Sequence, residues 1–457
     1  MTMKQRLIGA LALGLAGVVA INQWGGSRNS APLIDPTSPQ ASSSVLYCPG
    51  ITNVAGGLSG SVVFFNTTGS PRRVQLGVTV PGRSAAAAKE VITIAPYGQR
   101  AVTPIHLVKA SSYAITAAIN GGGVRGEILS SSRQSEASCV SRGVTRWMAT
   151  GLSTLVGSSA TLALFNPSAT AAVFNVRTYS ANGFLQPAPW QGLTVAPKGL
   201  IVIDLSSILI NTSAIGVDVR VLRGSLVGVA DQVTNGAGSY VAGSRGPSAR
   251  DRFALVTTAN RVVARLVVSN PSTTPARVTL GIDLAGYHIP TQHFTVAPLA
   301  SNSFVITPNT AIPAAGLANI SLRANVPVAA ALQTGVESAV RAKSPLHVSA
   351  QLTSWRSWLL ADATGRGYQA VLVSNTSAHA VRVTVTAGVL GHVPTTVTTT
   401  MAGHSSLNLL RLAPQLHTYR HVLALVSAAT NDLLVTATAS AHVARSGTVL
   451  EAALDGR

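Results

Sequence analysis

The chain has 457 residues, too many for one compact core, and its length alone suggests three or four domains. Hydrophobic residues make up 47% and charged residues only 10%, a balance rich in Ala, Val, Ser, Thr and Gly that argues against helical bundles and suits half-buried strands. Of the net charge of +19, about +6, +3, +5 and +3 fall in residues 44–142, 143–247, 248–345 and 346–457, with the rest before residue 44 and no concentrated basic tract of the kind a nucleic-acid site uses.

Two origins of that charge stand side by side: attraction to an anionic partner such as a wall polymer or acidic headgroups, and an Arg-favouring, GC-rich genome. Of the 33 basic residues, 28 are Arg.

At the N-terminus Lys4 and Arg6 precede an uncharged apolar run from Leu7 to Ile21. This is the layout of a secretory signal, with Val18-Val19-Ala20 as a small-residue cleavage site. The run is short of the ~20 residues that span a bilayer, yet Trp24 suits an interface and would let an uncleaved hydrophobic helix act as an anchor. Residues 1–21 are therefore expected to be a signal peptide or membrane anchor, and the protein to lie outside the cytoplasm, secreted or membrane-anchored. Residues 22–43 carry Gly25-Gly26, Pro32, Pro36, Pro39 and a serine run, and read as a flexible linker.

Cys48 and Cys139 are the two cysteines of the chain. In an exported protein an even pair at either end of one domain predicts a disulfide. Closing a loop of this length is worth at most ~4–5 kcal/mol on the chain-entropy model.

From Ser44 onward the sequence repeats. Each unit opens on an aromatic residue in an apolar stretch: Tyr47, Trp147, Phe253 and Trp358. An apolar strand then ends in asparagine, at Asn66, Asn166, Asn270 and Asn375, each followed by a small polar cluster such as Pro167-Ser168-Ala169. That chemistry is a turn, because the Asn side chain bonds the backbone two residues on and Pro presets φ. Period-two alternation follows, as in Val74, Leu76, Val78 and Val80, or Val381, Val383 and Val385. A second corner then recurs as Ile94-Ala95-Pro96, Val195-Ala196-Pro197 and Val296-Ala297-Pro298, with Met401-Ala402-Gly403 in the fourth unit. Further strands are expected at Leu200–Leu205 and Ser303–Ile306. Near the unit ends, paired strands are expected, Gly216–Leu222 with Leu226–Ala230 and Ile320–Ala324 with Val326–Ala331. Short strands between such turns suggest a β-sandwich. Propeller blades need only ~40–50 residues, half of a unit here.

Asn-Pro at one corner and Val-Ala-Pro at another resemble the immunoglobulin-like modules of bacterial surface proteins. More narrowly, the chain resembles an uncharacterised family of exported actinobacterial proteins with an N-terminal apolar segment and tandem repeats. The resemblance covers nearly the whole chain. It implies an all-β fold of four immunoglobulin-like β-sandwich modules, 44–142, 143–247, 248–345 and 346–457, and no assigned activity.

Catalytic and metal constellations are not found in the sequence. Asp204, Asp218 and Asp231 share a unit without a calcium-loop motif. Histidines gather late in the chain, His417 and His421 among them, without His-Glu-x-x-His. Ala242-Gly243-Ser244-Arg245-Gly246 lacks the register of a nucleophile elbow. No enzyme activity, cofactor or metal is expected. Trp190, in the Pro-rich loop after Gln186, is the candidate ligand contact, with ordinary loop packing as its alternative. The expected role is a structural or adhesive envelope protein binding an anionic or glycan surface. Its alternative is a scaffold subunit that binds another envelope protein, and an enzyme with an unrecognised site is remoter still.

Overall fold

The computed structural model describes residues 44–54, 58–129, 136–234, 237–243, 246–257, 262–284, 287–306, 316–336, 347–349, 357–360, 368–375, 377–389, 395–403, 405–408, 422–428, 433–439 and 452–453. The expected signal or anchor at 1–21 and linker at 22–43 lie outside these residues, as do His417 and His421. The chain divides into two units, Met1–Ala31 and Pro32–Arg457, and all the sheets belong to the second. Among the described residues the fold is all-β, built of antiparallel sheets with two single-turn 3-10 helices. No described helix is long and apolar enough to cross a membrane.

The sheets come in pairs that share cores. In each pair one sheet carries the repeated aromatic residue and the other the repeated asparagine. The first aromatic sheet has the strand order Leu58–Ser59, Val45–Val54, Ser112–Ile119, Arg72–Thr79, Ala88–Ile94. Its asparagine sheet runs Gln99–Val102, Ser61–Asn66, Val124–Leu129, Glu136–Ser138. Alternation dictates the layering: Val74, Leu76 and Val78 point into the core they share with Phe64, Ile115 and Ile128, while Gln75 faces out. The second aromatic sheet is Arg146–Leu152, Ile215–Arg223, Ala172–Ser180, Gly183–Leu185. The second asparagine sheet is Leu200–Asp204, Ser158–Phe165, Val227–Thr234, Ala237–Ala242.

Two expected strand pairings are corrected here. Ile215–Arg223 and Val227–Thr234 do not pair with each other; they belong to opposite sheets, with Gly224 turning the chain between them at φ +82°. In the third pair the same crossing needs no turn. Gly316–Val336 is one continuous strand whose first half joins Ser248–Thr257 and Ala276–Leu284, and whose second half joins Val262–Asn270 and His347–Ser349. Pro327 falls between the two ladders, where no backbone donor is required. A fourth pair is built around Val381–Val389 and Tyr368–Asn375.

Successive pairs pack edge on face. The first strand of each pair lies across the asparagine sheet of the next. Along Val45–Val54, the Tyr47 ring lies 5.8 Å from that of Phe165, and Thr52 donates its hydroxyl to Asp231 at 2.8 Å. Between them Gly50, at φ +76°, passes so close to Val229 and Ala163 that a Cβ would stand 2.2 Å from a Val229 methyl. Ala163, Phe165, Leu200, Val229 and Tyr240 thereby join the first core. The pattern recurs one pair on. Thr150 donates to Ser269 at 3.3 Å, and Gln333 donates its amide N–H to the Gly151 carbonyl. Met148, Tyr179 and Ala329 close a small cluster at the same junction.

Candidate functional site

The repeated asparagines are structural clamps. All four are fully buried. In Asn166, Nδ2 donates to the carbonyls of Thr170, Val195 and Ala196, and Oδ1 accepts the Ser168 N–H at 3.0 Å. Asn66, Asn270 and Asn375 make the matching set. One side chain thus ties its own turn to the Val-Ala-Pro corner.

The other predicted residues fall as follows. Cys48 and Cys139 form a disulfide, joining the first aromatic strand to the end of the asparagine sheet. Trp147 and Phe253 are core residues, Tyr47 is half-buried between pairs, and the backbone of Trp358 pairs with Val426. Trp190 is 4% exposed, its indole packed into the second core from a 3-10 turn at Ala188–Trp190. It therefore presents no open ring face to a ligand. Proline looked like a surface loop signal here, but its preset φ instead shapes the turn that tucks the ring inward. The three aspartates do not converge. Asp204 receives the Ser206 N–H in an exposed turn, Asp218 lies on the aromatic sheet and Asp231 on the asparagine sheet. Among the described residues no group of three or more His, Cys, Asp or Glu stands where it could hold a metal ion.

What the sequence did not single out is an arginine face on the second aromatic sheet. Register sets Arg146 beside Arg220, Arg220 beside Asn175, and Asp218 beside Arg177. Like charges directly opposite each other destabilise a sheet, so the arrangement requires a counter-charge. Asp218 supplies it. Fully buried, it accepts two bonds from Arg146, both at 2.8 Å, one from Arg220 Nε at 3.0 Å and one from the Tyr179 hydroxyl at 3.2 Å. The hydrogen bonds that Arg146 donates to Asp218 hold its guanidinium above its ordinary pKa; burial, with the Asp218 charge, pushes the Tyr179 phenol up to about 12. One carboxylate is thus shared by two guanidinium groups, with Arg177 opposite it on the neighbouring strand. Arg146 and Arg220 keep about a third of their side-chain surface open. Arg177 Nε is buried without a hydrogen-bond partner. The face carries surplus positive charge and planar donors of the kind that bind carboxylate or phosphate. The signal was present as Arg146, Asp218 and Arg220 at strand spacing, but nothing in one sequence says which strands are neighbours.

Residues 134–410, well over half of the chain, match the model of DUF5719, a family of unknown function. The chain belongs to this family. The DUF5719 match includes the whole arginine face and excludes most of the first sheet pair. No curated protein is significantly similar in sequence. Among solved structures, a tetra-tandem repeat in the extending region of a large adhesion protein is 14% identical, with a TM-score of 0.12, over 84% of this chain and 92% of that one. A Streptomyces avermitilis α-L-rhamnosidase complexed with L-rhamnose is 8% identical, also at 0.12, over 81% and 55%. Likenesses at that TM-score carry no inference.

Proposed function

We propose that this DUF5719 protein is a non-catalytic, extracytoplasmic envelope protein whose four units are immunoglobulin-like β-sandwich modules, and that it docks on an anionic envelope polymer. The observation that carries the reading is the arginine face around Asp218. A single carboxylate pairs with two arginines there and a third, Arg177, stands opposite it in register, on a chain whose overall charge is +19. Phosphate- or carboxylate-bearing wall polymers offer the complementary groups. The test is co-sedimentation of the purified full-length chain with isolated cell envelope across a salt series. Binding is expected to fall steeply with salt, and the Arg177→Gln/Arg220→Gln variant to bind several-fold more weakly at low salt. Salt-insensitive binding, or none, would overturn the reading.

One feature favours the alternative of a scaffold for another envelope protein. At one end of the second sheet pair, Thr154 bonds the carbonyls of Leu209 and Thr212, joining two loops whose Val156 and Ile210 side chains are 95% and 79% exposed. A partner protein retained at high salt, and lost in Val156→Ser/Ile210→Ser, would support that alternative.

A further inference from the structure

Cross-strand register lays out the outer face of the second aromatic sheet in rows. Tyr179, Gly216 and Thr150 form the first, Arg177, Asp218 and Met148 the second, and Asn175, Arg220 and Arg146 the third. The third sheet pair roofs the first row. A Cβ on Gly216 would stand 2.0 Å from Ser269 Oγ, and Tyr179 and Met148 pack with Ala329. At the other border the face opens, with Arg146 and Arg220 side chains 30% and 38% exposed. The arginines therefore lie on a ledge at the rim of the junction, its floor from the second pair and its back wall from the third.

Asp218 leaves many of the donors on this ledge unused. It takes Nε and Nη2 of Arg146 and Nε of Arg220, so Nη1 of Arg146 and both Nη groups of Arg220 stay available. Nε of Arg177 is enclosed without a hydrogen-bond partner. A guanidinium held that way breaks no bond at Nε when it turns toward a new acceptor, and a bond gained there is net gain. The free donors come from three adjacent strands. A carboxylate offers two oxygens in one plane, matched to a single fork, and Asp218 already fills that role on Arg146. A phosphate offers tetrahedrally placed oxygens that can meet donors arriving from several directions. Three arginines against one aspartate also leave positive charge for the group to neutralise. Building on the anionic-polymer reading above, we infer that the ledge is a phosphate site, with Arg177 turning its guanidinium onto the phosphate while Arg146 and Arg220 close on it from the open side.

Calorimetric titration of the full-length chain at low salt, with poly(glycerol phosphate) and with polygalacturonate at matched charge concentration, tests this. The phosphate polymer is expected to bind at least ~10-fold more tightly than the carboxylate polymer. Arg177→Lys keeps the net charge and removes the planar fork. It is expected to weaken binding of poly(glycerol phosphate) about 5-fold and to leave polygalacturonate unchanged. Arg73→Gln removes an exposed charge on the first aromatic sheet and should weaken both polymers slightly and equally. Where Arg177→Lys disturbs folding, the preference of the parent between the two polymers still decides. Equal affinity for the two polymers overturns the phosphate site, as does a folded Arg177→Lys that binds like the parent. Either result, with salt-sensitive binding to isolated envelope retained, leaves the broader anionic-polymer reading standing. Phosphatidylglycerol vesicles present the same phosphodiester in a membrane. An Arg177-dependent preference for the vesicles supports the site with a lipid headgroup as the source, and a preference for the soluble polymer supports it with a wall polymer as the source.

Discussion

A single asparagine amide does more for each unit than a turn residue ordinarily does. Asn166 meets its own turn through the Ser168 N–H and Thr170 carbonyl, and a second turn through the Val195 and Ala196 carbonyls. Only backbone is read at the far side. That explains why the fourth unit can replace Val-Ala-Pro with Met401-Ala402-Gly403: Asn375 still finds the carbonyls of Met401 and Ala402. Asn166→Ala leaves buried carbonyls without donors and is expected to cost about 2–4 kcal/mol. Asn166→Asp turns an acceptor toward those carbonyls and is expected to cost at least as much at pH 7, with partial recovery in acid as the carboxyl protonates. Urea denaturation followed by tryptophan fluorescence measures both, and an alanine variant within error of the parent would exclude the clamp. The turn half of this role was legible, since Asn followed by Pro-Ser is a local signal. Its reach across 30 residues was not, because periodicity shows where strands lie and not which turns meet.

At the scale of the element, the first strand of each pair is shaped by a contact that belongs to the next pair. The register of Val45–Val54 shifts between Cys48 and Ile51, and that of Arg146–Leu152 between Thr150 and Leu152. Gly50 and Gly151 sit in these bulges at φ +76° and +91°. Pro49-Gly50 reads in sequence as a simple interruption. Its purpose becomes visible only with Val229 and Ala163 in place, for a bulge lets the backbone approach a neighbouring face closely. Gly50→Ala combines left-handed strain of ~1 kcal/mol with a methyl set against Val229. It is expected to lower the thermal midpoint by several degrees, whereas Gly82→Ala, also at positive φ but with open space around it, should lower it less. Calorimetry on both variants separates packing from strain, and equal shifts would remove the packing contribution. The strand crossings were misread for a related reason. Alternation in Gly316–Val336 is uninterrupted, and an uninterrupted pattern fits a hairpin or a strand that changes sheets equally well.

Across the whole sheet assembly, two buried aspartates in the second pair have opposite environments. Asp218 is ringed by Arg146, Arg220 and Tyr179. Asp231 lies under the first pair, bonded by the Thr52 hydroxyl, with Tyr240 on the adjoining strand as the titratable neighbour that bears on it. Burial pushes its carboxyl up to about 6, against an ordinary value of 3.8, and the Thr52 bond only partly opposes that. The folded state therefore holds its proton more tightly than the unfolded chain. Between about pH 4 and pH 6 the native protein binds the extra proton, so this group's contribution falls as pH rises through that window and stays low above it. The loss amounts to no more than about 3 kcal/mol. Because Thr52 belongs to the first pair, the loss falls on the junction between pairs: the first strand sits most firmly on its neighbour in mild acid. Asp231→Asn keeps an acceptor for Thr52 without the titration, and is expected to raise the thermal midpoint at pH 7.5 relative to pH 4.5. A pH series of melting curves for parent and variant isolates this one group, whatever the other carboxylates do. Parallel curves would place the proton elsewhere; curves that converge in acid and part above pH 6 would make this carboxyl the reason the junction loosens as the medium turns neutral.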